Sequence, residues 1–418
     1  MSNVTVKSGV LHGSVTVPPS KSDVHRAIIC AALSKGTSVI SPVAFSQDIL
    51  ATIDCIRALG AEVTVSGDCV TVCGDNTFSN KTALLDCRES GSTVRFFIPV
   101  AAAGSIDATF VGKGRLPQRP LGVYTELLPM HGIVCKTEGG LPFSVSGQLT
   151  AGQFALAGDI SSQFVTGLLF ALPLLDGDSV IHLTSMLQSK GYIDMTIDVM
   201  RRFGVIVTEK DGDYYIRGGQ KYIACKYTTE GDWSQAAFFL TAGALGSEIS
   251  VNGLDMDSRQ GDKKIIDILR RFGANINIEK NTISCHGENL HGIEIDASQI
   301  PDLVPILAVC GAFAQGTTRI YNAQRVRLKE SDRLSAMKNA LASCGADISE
   351  THDGLLISGN EKISGGDVDG CNDHRIVMSM SIAALRCENG VNISDKESIN
   401  KSYAEFFDDF ISLGGIVQ

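Results

Sequence analysis

The chain has 418 residues, 44% of them hydrophobic, with 36 Lys plus Arg against 46 Asp plus Glu. This length and apolar content are enough for two or three domains with their own cores and exclude a disordered chain. A formal net charge of −10 and a pI near 5.3 exclude a general nucleic-acid or membrane-surface binder, because such proteins need a basic face to neutralise phosphates.

At the N-terminus, Met1-Ser2-Asn3-Val4-Thr5-Val6-Lys7 has no basic region followed by an apolar one, so no secretory signal is read and a cytosolic location is expected. The most apolar uncharged stretch, Ile160 to Leu175, contains Ser161, Ser162, Gln163 and Pro173 and is too short to span a bilayer. The 12 cysteines are scattered singly, with neither CxxC nor a Cys/His cluster. They read as buried small apolar residues in a reducing compartment, not as disulfides or metal ligands.

One helix-end phrase recurs six times along the chain, at Leu59-Gly60-Ala61, His131-Gly132-Ile133, Phe203-Gly204-Val205, Phe272-Gly273-Ala274, Cys344-Gly345-Ala346 and Leu413-Gly414-Gly415. Each follows a helical apolar pattern such as Val199-Met200-Arg201-Arg202-Phe203, and glycine in that place suits a left-handed C-cap. The first five precede an alternating, strand-like run, so the unit reads as helix, cap, hairpin. A second series, Gly36, Gly104, Gly177, Gly246, Gly316 and Gly390, closes small-residue helices with the same period. Two interleaved series imply six copies of a unit of about 70 residues, each an α/β module, covering the whole chain.

The small-residue helices are apolar all round, as in Phe96-Phe97-Ile98-Pro99-Val100 and Val304-Pro305-Ile306-Leu307-Ala308, which requires burial on every side. Each starts with a polar cluster read as an N-cap: Lys21-Ser22-Asp23, Gly91-Ser92-Thr93, Ser161-Ser162-Gln163, Asp232-Trp233-Ser234, Pro301-Asp302 and Asn372-Asp373-His374-Arg375. Helix N-termini gathered around pseudo-threefold axes would collect anions. Basic residues fall at these starts or in neighbouring loops: Lys21, Arg26, Arg95, Arg119, Lys329, Arg333, Arg375 and Lys401. Asp302 and Glu330 are the two acids that stand out, although on spacing alone a helix-start acid and an ordinary member of a charge run are the better readings.

The phrases Pro18-Pro19-Ser20-Lys21-Ser22-Asp23-Val24-His25-Arg26, Gly91-Ser92-Thr93-Val94-Arg95, Gln118-Arg119-Pro120-Leu121, Ser161-Ser162-Gln163-Phe164, Leu328-Lys329-Glu330-Ser331-Asp332-Arg333 and Asn372-Asp373-His374-Arg375 occur in order. Together they resemble the 5-enolpyruvylshikimate-3-phosphate synthase family of enolpyruvyl transferases. The resemblance implies two similar domains of three βαβαββ units around a pseudo-threefold axis, an inside-out α/β barrel in each. Residues 20–228 would form one domain and residues 1–19 plus 229–418 the other, with the active site in the cleft between them.

The implied reaction moves the enolpyruvyl group of phosphoenolpyruvate to the 5-hydroxyl of shikimate 3-phosphate and releases phosphate, a step towards chorismate and the aromatic amino acids. By the family pattern, Lys21, Ser22, Arg26, Ser161, Ser162, Gln163, Ser189, Asp302 and Lys329 hold shikimate 3-phosphate. Lys21, Gly91, Arg119, Gln163, Arg333, Arg375 and Lys401 surround phosphoenolpyruvate. Asp302 would be the base on the hydroxyl, with Glu330 and Lys21 sharing proton transfer at the enolpyruvyl carbon. No metal, cofactor, nucleic acid or membrane is expected, and a monomer is the default.

Three departures from the family pattern matter. Glu89-Ser90-Gly91-Ser92 stands where many members read Asn-Ala-Gly-Thr, so an Asn contact does not carry over to Glu89. The segment Tyr321 to Leu328 is longer than usual, leaving a family Asn on either Asn322 or Arg325, and Gly191 replaces a common proline. Among rivals, an enolpyruvyl transferase acting on UDP-N-acetylglucosamine needs a reactive Cys that Gly112 to Pro120 lacks. An RNA 3′-phosphate cyclase with His374 as nucleophile conflicts with the acidic balance. A catalytically dead phosphate-binding module conflicts with intact Lys21, Asp302, Glu330 and Arg375.

Overall fold

The computed structural model describes residues 2–418. The chain divides into two compact units, Pro19–Thr229 and Glu230–Gln418 together with Met1–Pro18. Each unit has its own continuous apolar core.

One sheet pattern occurs five times: a parallel pair of strands, then a hairpin added antiparallel to one edge. In one example, Thr82–Asp86 runs parallel to Asp107–Val111, which pairs antiparallel with Phe143–Gly147, itself paired with Ile133–Lys136. A strand precedes each of the two chain crossings near residues 18 and 229 and pairs within its own unit. His12–Thr16 pairs with Glu248–Asn252 in one unit, and Lys226–Thr228 pairs with Thr37–Ser41 in the other. The sixth sheet lacks a hairpin of its own. Val4–Val6 adds antiparallel to Val391–Ile393, and Val417 bridges to Val6, so the two ends of the chain complete that sheet.

Six inner helices carry the cores: α1 (Lys21–Leu33), α2 (Gly91–Ala103), α3 (Ser162–Ala171), α4 (Trp233–Ala244), α5 (Val304–Ala312) and α6 (His374–Ala384). Every residue of α4, α5 and α6 is buried, the polar His374 and Arg375 at the start of α6 included. The crossing of α2 and α3 depends on a missing side chain. A Cβ at Gly167 would lie 2.3 Å from the Arg95 carbonyl, so only glycine lets the two backbones approach. Tyr124 closes the same junction by donating to the carbonyls of Arg95 and Phe164 at 2.7 and 3.2 Å.

All six helix-end glycines, Gly60, Gly132, Gly204, Gly273, Gly345 and Gly414, have positive φ, as the C-cap reading expects. The second glycine series is less uniform. Gly104 is right-handed, and the left-handed residue there is Ser105, because Phe78 packs against Gly104 where a Cβ would otherwise stand. Two expected N-caps also differ. No side chain caps α1, and α5 is entered through a 3-10 turn, Pro301–Leu303, without one. Ser90, Ser161, Asp232 and Asp373 cap the other four. All 12 cysteines are unbridged, but Cys69, Cys73, Cys135, Cys225 and Cys371 are partly exposed, which corrects the reading of all as buried: Cys69 and Cys73 bound a strand whose pleat turns alternate residues outward.

Because the left-handed backbone disfavours any Cβ, Gly345→Ala, where the nearest atom would be 3.7 Å away, is expected to cost about 1 kcal/mol. Gly60→Ala adds a clash with the Asn76 carbonyl at 2.4 Å and should cost more. Urea unfolding of both variants checks the order.

Candidate active site

In the Pro19–Thr229 unit, hydroxyls and amides link the starts of the three inner helices. His25 of α1 meets the Thr52 hydroxyl at 2.7 Å, Thr52 meets Thr93 of α2 at 2.9 Å, and Thr93 donates to the Ser90 cap at 2.7 Å. Burial, reinforced by Lys21 and Arg26, holds His25 well below the usual imidazole range, so it serves this chain as a neutral ring. From α2 the links continue to α3: Gln163 donates to the Ser92 hydroxyl at 2.9 Å and accepts from Arg95 at 2.7 Å.

The cations of this unit play different parts. Lys21 forms an ion pair with Asp48 at 2.8 Å, both partly buried. Arg26 is buried and donates to the carbonyls of Ser22 and Tyr192 and to the Thr196 hydroxyl, fixing the first turn of α1 against helix Lys190–Arg202. Burial brings it down to about 10. The Arg119 guanidinium lies across Gly91: a Cβ there would stand 2.5 Å from Nη1. The structure thus gives Gly91 a specific reason, since any side chain would displace Arg119. Ser161 and Ser162 open α3, and Ser189 is held in a left-handed conformation (φ 57°) at the start of Lys190–Arg202. A non-glycine residue there is strained, which commonly marks a functional turn.

In the other unit, one arginine gathers the acids. Arg333 donates to Asp373 and Asp302 at 2.8 Å each and to Glu330 at 2.7 Å. Although burial opposes it, Asp373, Glu330 and Asp302 together hold this guanidinium above its ordinary range. Asp302 also meets Arg375 at 3.3 Å and Lys329 at 3.4 Å, and Arg375 donates to the Asp302 backbone carbonyl at 3.1 Å. Exposure separates the roles. The side chains of Asp302, Glu330 and Lys329 keep 15, 18 and 23% of their surface, whereas Arg333 keeps 1% and Asp373 none. Only the first three present a face to a ligand. Burial brings Lys329 down to about 8, against the attraction of Asp302. Lys401 donates to the carbonyl of Asn372, whose left-handed backbone, like that of Cys371, turns the chain into α6. Among the described residues, no group of three or more His, Cys, Asp or Glu could hold a metal ion.

Residues 6–410 match the family EPSP synthase (3-phosphoshikimate 1-carboxyvinyltransferase). The chain belongs to this family. A 3-phosphoshikimate 1-carboxyvinyltransferase of Clostridium novyi (strain NT) is 46% identical over 429 residues, covering all of this chain and 99% of its own. One from Clostridium perfringens (strain 13 / Type A) is 46% identical over 423 residues, with full coverage of both. Among solved structures, the EPSP synthase of Acinetobacter baumannii superposes with a TM-score of 0.83 at 26% identity over the full length of both chains. The enolpyruvyl transferase NikO of Streptomyces tendae gives 0.80 at 17% identity, covering all of this chain and 98% of that one, a likeness of fold. The two-domain enolpyruvyl transferase fold is therefore the fold of this chain.

Set in this family fold, the expected residues fall into two groups, one per unit. Lys21, Ser22, Arg26, Gly91, Arg119, Ser161, Ser162, Gln163 and Ser189 belong to the first, and Asp302, Lys329, Glu330, Arg333, Arg375 and Lys401 to the second. The sequence reading missed Asp48 and Asp373 as partners of Lys21 and Arg333, and it named Arg95 without seeing that it supports Gln163. No local pattern marks Asp48, which reads as an ordinary first-turn acid. Arg325 donates to the Ser298 carbonyl, and Asn322 leans on Asp353 and Asp296, so both are engaged within their own unit. His374 is 2% exposed inside the first turn of α6, a poor position for a nucleophile.

Removing Arg333 would leave Asp373 buried and uncompensated. Arg333→Met is expected to lower stability by about 3–5 kcal/mol, with Arg333→Met/Asp373→Leu recovering part of the loss. Denaturant titration of the three proteins measures both.

Proposed function

We propose that the two clusters act together in the family reaction, the transfer of the enolpyruvyl group of phosphoenolpyruvate to the 5-hydroxyl of shikimate 3-phosphate with release of phosphate. The observation that carries this reading is Asp302, a partly exposed carboxylate held by Arg333, Arg375 and Lys329 at a helix start. Both substrates bear a phosphate and a carboxylate, so their anions compete with Asp302 for Lys329 and Arg375. Once these cations turn to the substrates, Asp302 has an oxygen available for the proton of the attacking hydroxyl.

In this reading Lys21, Ser22, Arg26, Ser161, Ser162, Gln163, Ser189 and Lys329 hold shikimate 3-phosphate, with Arg26 acting mainly by fixing the Lys21–Ser22 turn. Gly91, Arg119, Gln163, Arg333, Arg375 and Lys401, again with Lys21, serve phosphoenolpyruvate. Arg333 acts from behind, keeping Glu330 and Asp302 in place. The hydroxyl oxygen adds to C2 of the enolpyruvyl group while a proton reaches its methylene carbon from Glu330 or Lys21. Loss of phosphate and of a proton from the resulting methyl group restores the enol ether. We also read the chain as a cytosolic monomer, which its unbridged cysteines and scattered exposed apolar residues support.

Phosphate release from phosphoenolpyruvate is expected with shikimate 3-phosphate and not with UDP-N-acetylglucosamine. Turnover with the sugar nucleotide alone would overturn the reading. Asp302→Asn should keep calorimetric binding of both substrates while turnover falls by roughly 10²-fold or more.

Lys329 gives a pH signature. Its charge is present below about 8 and lost above it, so shikimate 3-phosphate should bind more weakly as pH rises from 7 to 9.5. Lys329→Arg, charged throughout, should flatten that calorimetric profile.

A further inference from the structure

Close to the segment that leads to Asp302 lies an acid that the mechanism does not use. Asp262 stands in the short turn Gly261–Lys264 and is 2% exposed. Its Oδ2 accepts from the Ser234 hydroxyl, on the first turn of α4, in a very short hydrogen bond. Its Oδ1 is fully buried and has no hydrogen-bond partner. The turn also lies close to the segment leading to Asp302: a Cβ on Gly261 would stand 3.1 Å from the Gln299 carbonyl.

Three charged groups act on Asp262 electrostatically: Asp232 at the cap of α4, Asp302 in the turn before α5, and Arg375 in the first turn of α6. On its own turn, Lys263 points away, donating to the carbonyls of Met256 and Ser258. Two acids and one arginine already committed to Asp302 therefore surround a carboxyl with only one hydrogen-bond donor. An ionised carboxylate with a bare buried oxygen is costly, and neighbouring carboxylates resist ionising together.

We propose that Asp262 is a positioning residue for the Asp302–Arg375 pair: only as a neutral carboxylic acid does it leave Arg375 directed to Asp302 and to the substrate anion. Burial first, and then Asp302, raise its titration to about 7. When Asp262 ionises, a second buried anion competes for Arg375, and the cation is lost to phosphoenolpyruvate. The inference rests on the functional reading above, and it gives that site a buried pH sensor.

Infrared difference spectra of wild type minus Asp262→Asn, taken from pH 5 to 9, should show a protonated carboxylic acid band that disappears with a midpoint near 7. In Ser234→Ala the midpoint should move upward, because the lost hydroxyl favoured the carboxylate. The KM for phosphoenolpyruvate should rise about tenfold between pH 6 and 8 beyond any rise in Asp262→Asn, the ratio expected if only the protonated form binds. The substrate's own phosphate titration is common to both proteins and cancels. No such band at pH 6, an unmoved midpoint in Ser234→Ala, or the same KM profile in Asp262→Asn would each overturn the proposal. If Asp262→Asn does not fold, difference spectra of wild type and of Ser234→Ala, each taken against its own pH 9 spectrum, give the two midpoints and decide. If wild type releases no phosphate with shikimate 3-phosphate, the functional reading fails while the infrared result still decides the state of Asp262.

Discussion

The arrangement of acids in the second unit depends on one buried guanidinium. Arg333 holds Asp302, Glu330 and Asp373 at once, and without it three carboxylates within hydrogen-bonding reach of one point would repel one another. Asp373 takes the buried end of this arrangement. Arg333 keeps it below the ordinary carboxylate range despite its burial, and Asp373 in turn caps α6 through the Arg375 amide. The same contacts that place the acids therefore also fix the start of the helix that carries Arg375. Asp302 and Glu330 are left at the partly exposed rim, where a ligand can reach them.

The first unit solves a different problem, holding cations steady before any anion arrives. Backbone carbonyls do most of this work: Arg26 is tied to Ser22 and Tyr192, and Arg95 to Pro120. Lys21 is paired with the Asp48 carboxylate, with which a substrate phosphate can compete electrostatically. Neutral hydroxyl links from His25 to Ser90 join the helix starts without adding charge. In a chain with a net charge of −10, local clusters of this kind, and not the overall balance, create sites for anions.

Much of the fold is legible in the sequence because its repeat is enforced by backbone geometry. A helix that must turn into a hairpin within two residues calls for a left-handed residue, and glycine supplies it at six places with positive φ. The α4, α5 and α6 helices are readable because helices buried on all sides leave no room for a polar stripe. What the repeat does not reveal is how its sixth copy closes. Val4–Val6 and Val417 meet from opposite ends of the chain, and no local pattern links residues so far apart.

The site divides in the same way. Lys21, Gly91, Arg119, Asp302, Lys329, Glu330 and Arg375 are legible as members of phrases at helix starts, since anion chemistry needs cations and small residues there. Their partners are not. Asp48, Asp262 and Asp373 resemble ordinary first-turn acids, and only packing shows which is matched by a cation and which is left with a bare oxygen. By itself, the sequence determined the sixfold unit, the buried helices and the family's ordered phrases, because these follow from periodicity and backbone conformation over short spans. The tertiary structure alone decided which charges neutralise one another, because that depends on distances of a few ångströms between segments far apart in the chain.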